Sequence, residues 1–441
     1  MAAAEVEAEG AAAASGSLVA VAGPVGVEAY QRTELPNGLT VISEFVPGVR
    51  SVALGAWVRS ASIHESAARM GVSHLLEHMV FKGTERRTAH QIALALETLG
   101  GSLDAFTARE HTSFQARVLD EHLEQAADVI GDLLFAPALR DGDLQLERRV
   151  VLEEISMVED TPDDLVFELH NEAMWGAHPY GYSILGTRET VAEMPVEVLR
   201  ETHAAGYQPQ HIVVACAGRL EHAQLLDVLG RTGWTERPRG SSVLASPSAP
   251  VALPPGIQHV EREGVQTHLV LGTPTFAYSH PDRYAVTLMN MLLGGGMSSR
   301  LFQRIREEMG LAYSVYAFQS FHADAGIAGT YVGTSPDTAL KALDAVRREL
   351  GILAAGGFSA SEVEMGKEQL KGQVMLSLEG ASSRMYRLAA EELYGQPHRT
   401  LDDALAEIDR ITHDVVVQLC ATFLAPDRQT ILSLGPGSSL T

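Results

Sequence analysis

The chain has 441 residues, of which 46% are apolar and 20% charged, with two cysteines and a formal net charge of −23. That length exceeds one ordinary core and predicts two or more domains of a soluble globular protein. The charge excludes a nucleic-acid binder and favours basic or neutral partners, no run of 18 apolar residues is available to span a membrane, and Cys216 and Cys420 in their apolar surroundings read as buried thiols.

Residues 1–28 are rich in Ala, Gly, Glu and Val, and the first basic residue is Arg32. Neither a secretory signal nor a mitochondrial presequence fits that composition, so the expectation is a disordered acidic tail on a cytoplasmic protein. Order begins near Tyr30. Leu35-Pro36-Asn37-Gly38-Leu39 is a hairpin signal, and Leu39–Glu44 and Ser51–Arg59 read as strands.

A buried helix follows at about 71–82, apolar through Leu75, Leu76, Met79, Val80 and Phe81. It carries His74, Glu77 and His78 at i, i+3 and i+4, which share one face. Two neutral imidazoles at that spacing can grip one Zn²⁺, and the carboxylate between them can take a proton from water at the metal. The alternative is a pair of hydrogen-bonded core histidines.

Ala89–Leu99 has helical spacing and stops at Gly100-Gly101. Leu103–Thr107 and Thr112–Leu119 alternate like strands, and Glu121–Phe135 reads as an amphipathic helix. Asp143–Val158 is a second helix of interest, with Glu147, Val150, Val151, Glu154 and Val158 on one face. Two carboxylates in an apolar stripe need a cation or strong hydrogen bonds. Glu153 points about 100° away toward solvent. Glu154 is therefore the best candidate for a third metal ligand, and Glu147 could hydrogen-bond a liganding imidazole. Without the histidines, the same helix reads as an ordinary surface helix with Glu147 paired to Arg148 or Arg149.

Residues 141–172 hold eleven acids against two arginines, mostly a solvated face. His170 and His178 lack a partner at ligand spacing and read as structural. His211–Cys216 is a buried strand.

Residues 236–257 are rich in Pro, Ser, Gly and Ala and read as a linker. They separate a zinc-binding domain over 29–235 from a second domain over 258–441. The second half repeats the first in outline at an offset of about 210–225 residues. Ser51–Val58 matches Thr267–Thr273, the helix near 71–82 matches Arg283–Leu293, Glu121–Phe135 matches Thr338–Leu353, and Glu147–Glu154 matches Lys371–Leu378, where neither glutamate recurs. The expected fold is α+β: two homologous α/β-sandwich halves, each a mostly antiparallel sheet packed by helices, with a metal site in the first only.

Gly294-Gly295-Gly296 marks a mobile loop or a close backbone approach. The lysine and spacing of a phosphate loop are absent. Arg304–Met309 is helical and stops at Gly310, with a strand from Leu311. Arg306 and Tyr313 read by themselves as a helix-end cation and a half-buried strand aromatic.

The stretch His74-Leu75-Leu76-Glu77-His78-Met79-Val80-Phe81-Lys82-Gly83-Thr84 carries the H-x-x-E-H signature of the inverzincins. Together with Gly100-Gly101, Ala105-Phe106-Thr107, Glu147 to Glu154, Gly294–Phe302 and Arg306 with Tyr313, it makes the chain resemble the M16 metallopeptidase family. The similarity is to the half-length bacterial branch related to the mitochondrial processing peptidase β-subunit, and it covers roughly 30–435.

The resemblance implies that His74, His78 and Glu154 bind zinc, Glu77 is the general base and Glu147 supports the site. It implies that Asp104, Ala105, Phe106 and Thr107 lie on an edge strand that pairs with substrate backbone, and that Arg306 and Tyr313 contact the substrate carbonyl. The implied activity is a zinc endopeptidase acting on peptides or unfolded segments, working as a homodimer or as a heterodimer with a homologous M16 subunit. The alternatives are a catalytically silent assembly subunit of the same fold and a zinc hydrolase of small molecules. The resembled family usually has Asn where this chain has Asp104, and an ionised Asp only accepts hydrogen bonds.

Overall fold

The computed structural model describes residues 29–245 and 247–437; the tail expectation for residues 1–28 lies outside the described residues. The first half forms a six-stranded sheet from β1 (Tyr30–Glu34), β2 (Thr40–Phe45), β3 (Ser51–Val58), β4 (Ser102–Thr107), β5 (Thr112–Leu119) and β6 (Ile212–Gly218), in the order β1-β2-β6-β3-β5-β4. The second half forms a five-stranded sheet from β7 (Ile257–Glu261), β8 (Thr267–Thr275), β9 (Ala312–Phe321), β10 (Gly326–Thr334) and β11 (Thr430–Gly435), in the order β7-β11-β8-β10-β9.

Only β2–β6 and β7–β11 pair in parallel; the remaining pairs are antiparallel. Laid on each other, β2, β6, β3, β5 and β4 coincide in order and direction with β7, β11, β8, β10 and β9. The expected duplication is therefore present at the level of topology, with β1 an addition to the first half. The Asn-Gly hairpin joins β1 to β2. Gly38 sits at φ +87, and the buried Asn37 amide donates to Trp234 O at 3.0 Å. Described residues from 235 to 256 contain no helix or strand.

The burial patterns of the strands explain how the halves are joined. β3 and β6 are buried along nearly their whole length, which requires cover on both faces of the sheet. One face packs on helices of the same half, in a core that includes Leu54, Leu75, Met79, Ile130 and Leu133. The other face is covered by the Ala381–Leu393 helix of the second half, through Ala381, Met385, Leu388 and Ala389 against Ile42, Trp57, Val213 and Ala215.

The exchange is reciprocal. The Pro162–Trp175 helix of the first half lies on the second sheet, with Val166 against Val270, Tyr331, Leu432 and Leu434. Gly272 makes room for it, since a Cβ there would sit 2.6 Å from His170 Cε1. Each large apolar side chain buried this way contributes roughly 1.5–3 kcal/mol. Neither half covers both faces of its own sheet.

At the rim the pattern changes. β5 alternates along its second half, and β4, hydrogen-bonded only to β5, alternates exposed and half-buried throughout. Among the described residues its other edge is unpaired.

Candidate metal centre

The Val72–Val80 helix begins where a left-handed glycine permits it. Gly71 has φ +89, and a Cβ there would meet Leu185 O at 2.6 Å. The first turn is capped by a buried acid. Glu65 accepts from Gly71 N and from Ser73 N, each at 2.8 Å. Burial pushes the Glu65 carboxyl up to about 7, against the pull of these backbone donors. Its charge lies at the positive end of the helix dipole. Leu75, Leu76, Met79 and Val80 are fully buried and fix the helix on the core, which leaves His74, Glu77 and His78 aimed at the Asp141–Asp160 helix and β4.

The Asp141–Asp160 helix buries Leu144, Glu147, Val151 and Ile155. The expected stripe is corrected at Val150, which is 50% exposed: the buried line runs through 144, 147, 151 and 155, and position 150 lies about 100° off it. Glu154, beside that line, faces the two histidines, and Glu153 is exposed as expected.

His74 Nε2 and His78 Nε2 each lie 3.6 Å from the same oxygen, Oε2 of Glu154. Among the described residues these three form the group whose ligand atoms all lie within 4.8 Å of one another. A four-coordinate zinc with two imidazoles and one carboxylate, leaving a position open, needs this donor set. The state of the imidazoles fits as well. Burial, and next the neighbouring His78, push the His74 imidazole down to about 3, so it is neutral and free to ligate.

The centre is held from behind by Glu147, which is 4% exposed. Its Oε1 lies 3.0 Å from His78 Nδ1, and its Oε2 accepts from Lys82 Nζ at 2.6 Å. A proton on Nδ1 donates to this carboxylate and leaves Nε2 unprotonated toward the metal position. The surface pairing of Glu147 with Arg148 or Arg149 is not formed: Arg148 donates instead to Val191 O and Met194 O.

Glu77 lies on the same face and reaches β4, where its Oε2 accepts from Thr107 Oγ1 at 2.6 Å. Burial raises the Glu77 carboxyl above the usual range, with Thr107 and His78 opposing and Glu154 adding to the rise. A carboxylate raised toward neutrality is a better proton acceptor at physiological pH.

The alternation of β4 turns Leu103, Ala105 and Thr107 inward, while Asp104 and Phe106 point outward. The tip of the β4–β5 hairpin is anchored to the second half by Glu110, which accepts from Tyr180 Oη at 2.7 Å and from Ala323 N at 2.9 Å.

The remaining candidates lie elsewhere. His170 Nε2 bonds Thr430 O at 3.0 Å and His178 Nε2 bonds Ser248 O at 2.9 Å, both structural. Arg306 and Tyr313 are in the second half, on and just after a π-helix over Phe302–Glu308. The expected α-helix there is widened, a form that recurs at functional sites. The Arg306 guanidinium lies between the rings of Phe302 (4.7 Å) and Tyr313 (4.6 Å), and its Nε is 3.6 Å from Glu307. Neither residue touches the His74–His78–Glu154 group within this chain. Gly294 realises the close approach read from the triple glycine: a Cβ there would lie 2.3 Å from Ala317 N.

Two family models match the chain in tandem. Residues 40–188 match the insulinase (peptidase family M16) model, and residues 193–370 match the peptidase M16 inactive domain. The uncharacterized zinc protease YmxG of Bacillus subtilis is 38% identical over 402 residues, covering 90% of this chain and 96% of that protein. The chain belongs to peptidase family M16.

An uncharacterized zinc protease of Streptomyces coelicolor is 37% identical over 422 residues, covering 94% of this M16 chain and 92% of its own length. Two solved structures share the fold. A peptidase M16 inactive domain from Pseudomonas fluorescens superposes with a TM-score of 0.86 at 22% identity, covering 93% of this chain and 99% of that one. A protease from Helicobacter pylori gives 0.86 at 18%, covering 93% and 100%. No helix among the described residues is long and apolar enough to cross a membrane.

Sequence reasoning missed four features around the M16 centre. Glu65, the Glu77–Thr107 contact and Glu110 join segments with no shared period. Lys82 alone had a signal, one turn beyond His78 on the same face.

Proposed function

We propose that this M16 chain is a zinc-dependent endopeptidase that hydrolyses peptides or unfolded protein segments. Supporting that reading is one convergence: two imidazole nitrogens and a carboxylate oxygen meet at a point, and the adjacent Glu77 is tied to a strand with a free edge.

His74, His78 and Glu154 would hold a zinc ion, which when bound would supply Lewis acidity for a carbonyl and a water. Glu77 takes a proton from the water and returns it to the leaving amine. Glu147 holds His78 through Nδ1 and is itself neutralised by Lys82. The peptide adds as a strand to β4, against Ala105, Phe106 and Thr107. The formal charge of −23 draws basic peptides by a long-range field.

Arg306 and Tyr313 are the donors for the developing oxyanion. Their contacts in this chain are with each other, Phe302 and Glu307. They therefore act on a second chain, in a homodimer or with a homologous M16 subunit, in the cytoplasm.

The deciding experiment compares wild type with Glu77→Gln. Wild type binds zinc stoichiometrically and cleaves a quenched peptide. Glu77→Gln keeps the zinc and loses turnover, because the ligands remain and the base does not. Near-full turnover in Glu77→Gln removes the base assignment, and a wild type that binds zinc without cleaving any peptide favours the silent subunit.

A further inference from the structure

β4 presents a second set of groups on the face turned away from the histidines. Phe106, 36% exposed, is stacked on Tyr386, 37% exposed, with centroids 6.3 Å apart and planes at 29°. Tyr386 belongs to the Ala381–Leu393 helix, the one the second half lays on this sheet. Its ring meets Trp57 edge-on at 5.9 Å. Asp104 stands opposite Gln115 in the β4–β5 register, two residues from Phe106 on the same outward face, and its charge acts on Tyr386.

This exposed carboxylate has no cation at ion-pair distance among the described residues. Arg117, on the same face of β5, makes no ion pair with it. Arg59 donates to Leu393 O and Glu392 O at the end of the Ala381–Leu393 helix. His111 packs edge-on to Phe106 at 5.9 Å and is held neutral by burial.

We infer that Asp104, Phe106 and Tyr386 form a side-chain subsite for an arginine or lysine of the peptide paired on β4. The inference rests on the endopeptidase reading for its substrate but not for its geometry. A strand added to β4 places every second side chain on the outward face, with Cβ atoms about 4.5–5.5 Å from those of Asp104 or Phe106. At that distance a guanidinium or ammonium lies over the aromatic faces and reaches the carboxylate. An apolar occupant would cover Asp104 without giving it a partner, which is costly. Asp104 supplies what an uncharged amide at that position would lack: the charge that selects the cation. The second half takes part through Tyr386.

The test walks a single arginine through an otherwise neutral quenched peptide, with citrulline at the same position as the uncharged isostere. In the zinc-loaded full chain, arginine is expected to raise kcat/KM about tenfold over citrulline, and only at alternate positions. Asp104→Asn is expected to bring the ratio to near unity, and Tyr386→Leu to reduce it. The ratio is internal to each variant, so loss of folded protein does not move it. The same peptides are bound to the Glu77→Gln chain and followed by fluorescence anisotropy, where the affinity ratio is expected to show the same alternation. Equal values for arginine and citrulline overturn the subsite, as does a preference uniform over all positions or one that survives Asp104→Asn. A phenylalanine preferred over arginine at the alternate positions overturns the cation assignment. Binding discrimination without turnover in the wild type sinks the endopeptidase reading and leaves the subsite standing.

Discussion

Thr107 Oγ1 donates a 2.6 Å hydrogen bond to Oε2 of Glu77, joining the edge strand β4 to the carboxylate on the histidine helix. Whatever restrains β4 therefore also restrains Glu77. The bond favours the charged carboxylate and opposes the rise that burial causes.

Removing that bond predicts a shift of the pH profile. In Thr107→Val, burial acts on Glu77 unopposed by the hydroxyl, so its pKa rises further. The base must be ionised to work, so the acid limb of kcat/KM moves to higher pH. A hydrogen bond to a charged group is worth about 1.5–3 kcal/mol, equivalent to about one to two pH units. Thr107→Ser keeps the donor and restores the limb. A Thr107→Val profile that superposes on wild type rejects a role for this bond.

Metal affinity should depend on Glu147, which touches no metal ligand atom directed at the centre. Glu147→Gln removes the charge shared by His78 Nδ1 and Lys82 Nζ and turns an amide donor toward the lysine. The expected loss of zinc affinity is about 10–100-fold, measured by competition with a chelator. Lys82→Met, which leaves the carboxylate on His78, is expected to lose less. Unchanged affinity in Glu147→Gln makes Glu147 a packing residue only.

The junction between the halves should weaken in acid. Burial pushes the His170 imidazole down to about 4 from its ordinary 6.5, so the unfolded chain takes up its proton first as the pH falls. The stability that neutral His170 provides is complete above 6.5 and is lost as the pH falls toward 4. Between pH 7 and pH 5 the loss is about 2 kcal/mol. In His170→Gln the difference in urea-denaturation stability between those pH values should shrink by that amount. An undiminished difference would assign the acid sensitivity to other groups.

A shared site predicts complementation. Glu77→Gln and Arg306→Ala are each expected to be nearly inactive. Mixed under subunit exchange, some dimers contain one site with Glu77 from one chain and Arg306 from the other, and activity returns. If exchange is verified by labelled subunits and no activity returns, the site is built within one chain, or Arg306 has no part in it.

The line between what sequence and fold each decided follows the range of the geometry involved. Within one helix, backbone sterics set the period, so His74, Glu77 and His78 had to share a face, and Glu147 and Glu154 had to lie on one side of the next helix. Strand alternation and the absence of a second pair of glutamates around Lys371–Leu378 were equally local, and the duplicated order of elements followed from them. The exposure of Val150 was not: it depends on which side of the Asp141–Asp160 helix the core occupies.

Likewise, Glu65 under the first turn, Thr107 against Glu77 and Tyr386 over Phe106 bring together segments whose separation along the chain carries no period. Packing of the two sheets places them. The reciprocal helix exchange, Ala381–Leu393 onto the first sheet and Pro162–Trp175 onto the second, is the clearest case. Neither helix carries a sequence signal that assigns it to the other half. Only the demand that β3, β6, β8 and β11 be covered on both faces decides that each serves the other half.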